Sequence, residues 1–151
     1  MAKPDDRIRF VDTNVLLAAT DASRREHDRS LALLDRAMAG ELSLYASGQV
    51  FREYLVVATR PVEANGLGLD STEALANVEE FSRCVGLLEE TAEVSRELRK
   101  LLGRHALRGK RLHDANIVAT MLAHGVKRLA TDNNADFETF PEIRIDGFQE
   151  S

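Results

Sequence analysis

Tryptophan is absent from this chain, cysteine occurs once, and aromatic residues make up only 5% of it. Each shortage excludes something. With two tyrosines and six phenylalanines there is little to stack on nucleobases, so recognition of a nucleic acid would rest on shape and phosphates. The lone Cys84 excludes an internal disulfide and has no CxxC partner with which to share a zinc ion. It reads as a small buried hydrophobe near the end of a helix, and such cysteine usage fits a reducing cytoplasm. No apolar run approaches the ~18 residues of a membrane span. The start, Met1-Ala2-Lys3-Pro4-Asp5-Asp6-Arg7, lacks the apolar centre of a signal peptide, so a cytoplasmic location and no membrane contact are expected. The chain also lacks a GxGxxG, a phosphate-cradling P-loop and a GxSxG, and its four histidines show no HExxH spacing. Nucleotide cradles and side-chain nucleophiles are thereby set aside, and water is left as the expected nucleophile.

What is present describes an ordinary globular protein: 151 residues, 44% hydrophobic, 30% charged. One domain over residues 1–151 is expected, large enough to bury roughly 70% of its unfolded surface. A net charge of −5 does not advertise a nucleic-acid binder. Locally, however, Arg104, Arg108, Lys110 and Arg111 crowd together with His105 and His113. Strands are expected at 7–12, 43–46, 85–88, 128–131 and 143–145. Helices are expected at 15–20, 24–39 (stopped by Gly40), 49–59, 71–83, 91–102 and 113–123 (closed by Gly125). Residues 60–68 carry three breakers and read as a loop, and 108–111 as a basic loop. Strands alternating with helices point to an α/β fold, a central mostly parallel sheet flanked by helices on both faces. Ligands bind such sheets outside the carboxyl ends of the strands.

Three carboxylates occupy positions that otherwise read as core. Asp12 ends the run Ile8-Arg9-Phe10-Val11. Glu53 shares a helical stripe with Val50, Tyr54 and Val57, and Asp114 leads Ile117, Val118, Met121 and Leu122, so the 3.6-residue period turns both inward. An unpaired buried carboxylate costs several kcal/mol, roughly 2–7 for even a neutral polar group, so three of them aimed inward are expected to meet at a site. Asp12 and Asp132 fall at or just beyond strand ends, and Glu53 and Asp114 lie near helix starts that lean over the same edge. An oxygen-only cluster suits Mg²⁺ or Mn²⁺ rather than zinc, and carboxylate-held Mg²⁺ is typical of phosphoryl chemistry. One such ion can generate hydroxide, and a second, ~3.5–4 Å away, can stabilise the leaving oxygen. The basic run beside Asp114 is a candidate phosphate contact through Arg108, Lys110 and Arg111.

Four segments, FVDTNVLL at 10–17, SGQVFREYL at 47–55, LHDANIVATMLAHG at 112–125 and LATDNNADF at 129–137, together make the chain resemble a PIN-domain ribonuclease. The likeness is in particular to the VapC-type toxins of bacterial and archaeal toxin–antitoxin pairs, and it covers nearly the whole chain. It implies a PIN-like fold and a metal-dependent endoribonuclease that hydrolyses RNA phosphodiesters. The family's first three acids fall on Asp12, Glu53 and Asp114, and Thr13 and Asn14 match the polar pair after the first acid. The fourth acid of the family falls on Asn133 here. Either Asp132 or Asp136 stands in for it, Asp136 being favoured because an Asp-Phe ending recurs in the family. The resemblance makes Asp12 and Asp114 direct metal ligands, with Glu53 and Asp136 or Asp132 positioning water or a second ion. It further implies an antitoxin seated against the partly apolar helices at 15–39, and a homodimer. The competing reading is a non-catalytic PIN-like module that binds RNA or protein. A receiver-like phosphoacceptor is disfavoured, since the third strand leads to Glu89 and Glu90 rather than to a strand-end acid.

Overall fold

The computed structural model describes residues 4–147; the Met-Ala-Lys that opens the expected non-signal start lies outside the described residues, as do 148–151. Five short strands form one sheet: β1 (Ile8–Val11), β2 (Ser43–Ser47), β3 (Val85–Leu88), β4 (Arg128–Thr131) and β5 (Arg144–Gly147). Their order is β3-β2-β1-β4-β5 and every pairing is parallel. Parallel neighbours need crossovers, which six helices supply: α1 (Thr13–Thr20), α2 (His27–Met38), α3 (Gly48–Thr59), α4 (Ser71–Phe81), α5 (Ala92–Arg104) and α6 (Arg111–Ala123). A single-turn helix, α7 (Asn134–Phe137), follows β4. The architecture is the expected α/β one.

Local chemistry explains the boundaries. Gly40 and Gly125 close α2 and α6 in the left-handed region, φ 79° and 71°. In each case the next residue donates back five positions (Glu41 N to Arg36 O, Val126 N to Met121 O), a Schellman closure that L side chains disfavour. Asp70 caps α4 and Glu73 returns the bond, completing a capping box. The helix expected at 24–39 starts only at His27, because Asp21 holds residues 21–23 in a turn by accepting from the Ser23 N–H and hydroxyl. Arg111, expected in a loop, is the first residue of α6. The α2 stripe is also less buried than its spacing predicts: Leu34 is core, whereas Leu31 and Met38 are 38% and 55% exposed.

The core lies between sheet and helices, with Phe10, Val11, Leu44, Ala46, Leu129 and Ala130 from the central strands fully or nearly buried. Glycine is required at two close approaches: a Cβ on Gly66 would run into the Arg60 backbone, and one on Gly86 would come 2.8 Å from the Tyr45 ring on the neighbouring strand. Tyr54 is wholly buried and its hydroxyl is satisfied by Thr20 at 2.8 Å and Asn77 at 3.0 Å, which ties α1, α3 and α4 together. Helix α1 is buried along Val15–Ala19, so within the helices at 15–39 the large exposed apolar side chains are Leu31 and Met38 of α2. Among the described residues no helix is long and apolar enough to cross a membrane.

Candidate functional site

The chain leaves β1 toward β2 and β3, then returns across the sheet to lay down β4 and β5 on the other side. Loops therefore diverge at the carboxyl ends of β1 and β4, the place where open α/β sheets bind ligands. Asp12 sits there. Its backbone N–H donates to Ala130 O of β4 at 3.1 Å, and its side chain caps α1 by accepting from Thr13 N at 2.8 Å. This cap is why α1 begins at Thr13 rather than at residue 15. The other carboxylate oxygen accepts from the Thr131 hydroxyl at 2.8 Å, and Thr131 Oγ1 accepts in turn from Asn133 N.

Asp12, Glu53 and Asp114 line one cleft of about 370 Å³ together with Thr13, Asn14 and Asn133. Of the three acids only Asp12, 6% exposed, is truly buried. Glu53 and Asp114 are half-buried on the cleft wall rather than in the core, so the inward stripes describe their neighbours Tyr54, Ile117 and Val118 better than the acids themselves. Burial pushes the Asp12 carboxyl up to about 6, with Glu53 and Asp114 adding to the rise against the hydrogen bonds from Thr131 and Thr13. Asp114 is also raised, first by burial and then by the charge of Asp136, with Arg111 pulling the other way.

Each acid is fixed by neutral partners or by an arginine. Glu53 accepts from the Thr13 hydroxyl at 3.0 Å and from Gln49 Nε2 at 2.9 Å. Gln49, 2% exposed, also donates to His113 O at 2.9 Å and accepts from Asn116 Nδ2 at 2.8 Å, so it locks α3 to α6. Asp114 is met by Arg111 Nε at 3.2 Å, whose other nitrogen donates to Asp136 O at 2.6 Å and to Thr139 Oγ1 at 3.2 Å. Arg111 is thus fastened to Asp114 and α7, with its side chain still 36% exposed. Arg108 and Lys110 are exposed nearby, while Arg104 and His105 turn away to Glu142. Asp132 and Asp136 are both exposed and line no part of the cleft; Asn133 does. Of the two, Asp136 is the one whose charge raises the Asp114 carboxyl.

Among the described residues no three His, Cys, Asp or Glu side chains stand close enough, as they lie, to enclose an ion. The donors nevertheless suit one. All are carboxylate oxygens, and each Asp12 oxygen accepts a single hydrogen bond, which leaves lone pairs free at a buried acid whose charge is held back by its surroundings. Sequence reasoning missed Arg52 and Arg60, the two cations on the cleft wall, and the buried Gln49. Their signal was weak. Arg52 directly precedes Glu53 and Gln49 lies one helical turn before it, but exposed arginines and helical glutamines are common.

The model of the PIN domain family matches residues 9–142. The ribonuclease VapC48 of Mycobacterium tuberculosis is 32% identical over 139 residues, covering 89% of this chain and 92% of that protein. The ribonuclease VapC24 of the same organism is 33% identical over 142 residues, with the same coverage. Among solved structures, VapBC-1 of nontypeable Haemophilus influenzae superposes with a TM-score of 0.68 at 15% identity, covering 95% of this chain and 99% of that one.

Proposed function

Because this chain belongs to the PIN-domain family, we propose that it is an endoribonuclease of the VapC type, acting with a divalent cation. One observation carries the reading: acids from three separate elements, Asp12 after β1, Glu53 on α3 and Asp114 on α6, line a single cleft at the sheet's switch point. Asp12 and Asp114 would hold the ion, Mg²⁺ or Mn²⁺, with Glu53 beside them on the cleft wall. Such an ion supplies Lewis-acid stabilisation of a phosphate and water of lowered pKa. Glu53, oriented by Thr13 and Gln49, positions the attacking water and takes its proton as the bond from phosphorus to the leaving ribose oxygen breaks. Asn14 and Asn133 offer neutral polar contacts on the cleft wall, and Arg52 and Arg60 draw the flanking phosphates past the acids. Asp136 stands behind Asp114 and strengthens the negative field there; Asp132 has no role in this reading.

The likeness to VapBC complexes supports an antitoxin partner, and a homodimer is proposed on the family resemblance alone. Val56, 51% exposed, and the half-buried Val57 make the cleft flank partly apolar, a better seat for such a partner than the buried α1. A non-catalytic module is the second reading, favoured by Asn133 where the family carries an acid. Incubating labelled RNA with the purified chain, with Mg²⁺ or Mn²⁺ and with chelator, separates the two. Cleavage that needs the ion and is absent in Asp12→Asn supports the nuclease; RNA left intact under all conditions supports the module.

A further inference from the structure

The opposite end of the sheet carries a second cleft, of about 550 Å³, and its lining is arginine. Arg7 stands just before β1, Arg9 within it, Arg36 in the last turn of α2, and Arg128 and Arg144 open β4 and β5. The lining acids are Asp6 and Glu41, so five guanidinium groups face two carboxylates on a chain whose net charge is −5. Arg128 and Arg144 are register partners on adjacent strands, which sets like charges side by side.

The internal pairing is shared. Asp146 pairs with both Arg9 and Arg128, accepting from Arg128 Nη2 at 3.2 Å, and the Asp6 carbonyl accepts from both guanidinium groups. Those two arginines are largely buried, with side chains 13% and 19% exposed. Arg128 Nε is 3.1 Å from Asp146 Oδ2 but is not directed at it, and this buried N–H has no hydrogen-bond acceptor. Burial foremost, then the nearby Arg128 and Arg36, hold the Arg9 guanidinium below its ordinary value against the pull of Asp146. Arg36 is occupied by Glu41 at 3.2 Å, and Arg128 also reaches Asp6. Arg7 and Arg144 are exposed and have no hydrogen bond or ion pair from their side chains among the described residues.

We propose that this cleft binds a compact oligophosphate, a chain of phosphates such as a triphosphate group. Guanidinium forks match phosphate oxygens in pairs, and several forks from four chain segments converging on one concavity suit several adjacent oxyanions. An extended nucleic acid fits less well. The rest of the surface is net acidic, and no tryptophan and few other aromatic side chains exist to stack its bases. The site is distinct from the carboxylate cleft and does not depend on whether that cleft cuts RNA.

The test is calorimetric titration of the full chain with sodium tripolyphosphate, in metal-free buffer at low salt. One tripolyphosphate should bind per chain. The double variant Arg7→Ala, Arg144→Ala should bind it at least about tenfold more weakly, as expected for the loss of two charge-assisted forks, while melting with the wild type because neither side chain has a partner to lose. Asp12→Asn should bind as the wild type does. A parallel titration with ATP identifies the source: binding as tight as or tighter than tripolyphosphate marks a nucleotide, and weaker binding marks inorganic oligophosphate. The proposal fails if no binding is seen, if the double variant binds unchanged, or if Asp12→Asn removes the binding. It also fails if a single-stranded oligonucleotide, but not tripolyphosphate, depends on Arg7 and Arg144.

Discussion

The two ends of one sheet carry opposite charge by opposite means. At the carboxyl end, Asp12, Glu53 and Asp114 are held mainly by hydroxyls, amides and one arginine, and their repulsion is left standing. At the amino end, Arg9 and Arg128 share Asp146, with Asp6 as a second partner, while Arg7 and Arg144 have no partner among the described residues. Neither arrangement maximises stability, since like charges brought together at partial burial cost free energy in any folded protein. The lesson is that neutral partners fix geometry without cancelling charge, so each cluster stays oriented and short of counter-ions. A ligand of opposite sign is what both ends have in common as a need.

The largest expected effect breaks the acid end alone. Asp12→Asn should lower RNA cleavage by at least about a hundredfold, the upper range for losing even a supporting partner of a metal site, measured as initial rates on labelled RNA with Mg²⁺. The same change should abolish any Mg²⁺-dependent rise in melting temperature, because an ion that binds only the folded state stabilises it by mass action. A variant that keeps its cleavage rate would remove Asp12 from the site.

Next in size is a dependence of stability on pH. The folded Asp12 carboxyl is raised from an ordinary value of 3.8 to about 6, so the folded state binds its proton more tightly than the unfolded chain does. Its contribution to stability is therefore present below about pH 4 and is lost as pH rises through about 6. Without metal, wild type should fall relative to Asp12→Asn across that window by on the order of 3 kcal/mol at most, read from urea midpoints at successive pH values. Parallel curves would mean that the acid end is not under charge stress.

Gln49→Ala sharpens the comparison by removing a neutral holder and leaving every charge. It should cost about 1–3 kcal/mol in stability, the penalty for stranding buried partners, and reduce cleavage about tenfold or more as Glu53 loses its orientation. Thermal melts and rates under saturating RNA give both numbers. The smallest effect belongs to the exposed pair near α6. Arg108→Ala with Lys110→Ala should flatten the salt dependence of RNA binding by about one unit of slope for each lost phosphate contact and leave metal affinity intact. A slope equal to that of the wild type would make the run a solvated loop.

The alternating fold was legible because its signals are local: β-rich runs, periodic helices and the glycines at 40 and 125 that close α2 and α6. The acids of the cleft were legible because a carboxylate within an apolar run is costly unless something uses it. What escaped was long-range or unremarkable in kind. Whether Glu53 points into the core or onto a wall depends on how α3 rolls against its neighbours, which periodicity leaves open by part of a turn. Arg111 reads as a free cation until α7, a single turn with no periodic pattern, supplies the carbonyl that fastens it. The arginine cleft is assembled from residues as far apart as Arg7 and Arg144, and only strand order brings them together.

That strand order also sets a timetable. The hydroxyl that fixes Asp12 belongs to Thr131, 119 positions later in the chain. At 5–20 residues per second of synthesis, roughly 6–24 s separate the two on the ribosome. Until β4 is made and slots in beside β1, the nascent chain lacks the hydroxyl that holds one Asp12 oxygen, and the cleft that gathers Asp12 with Asn133 is incomplete.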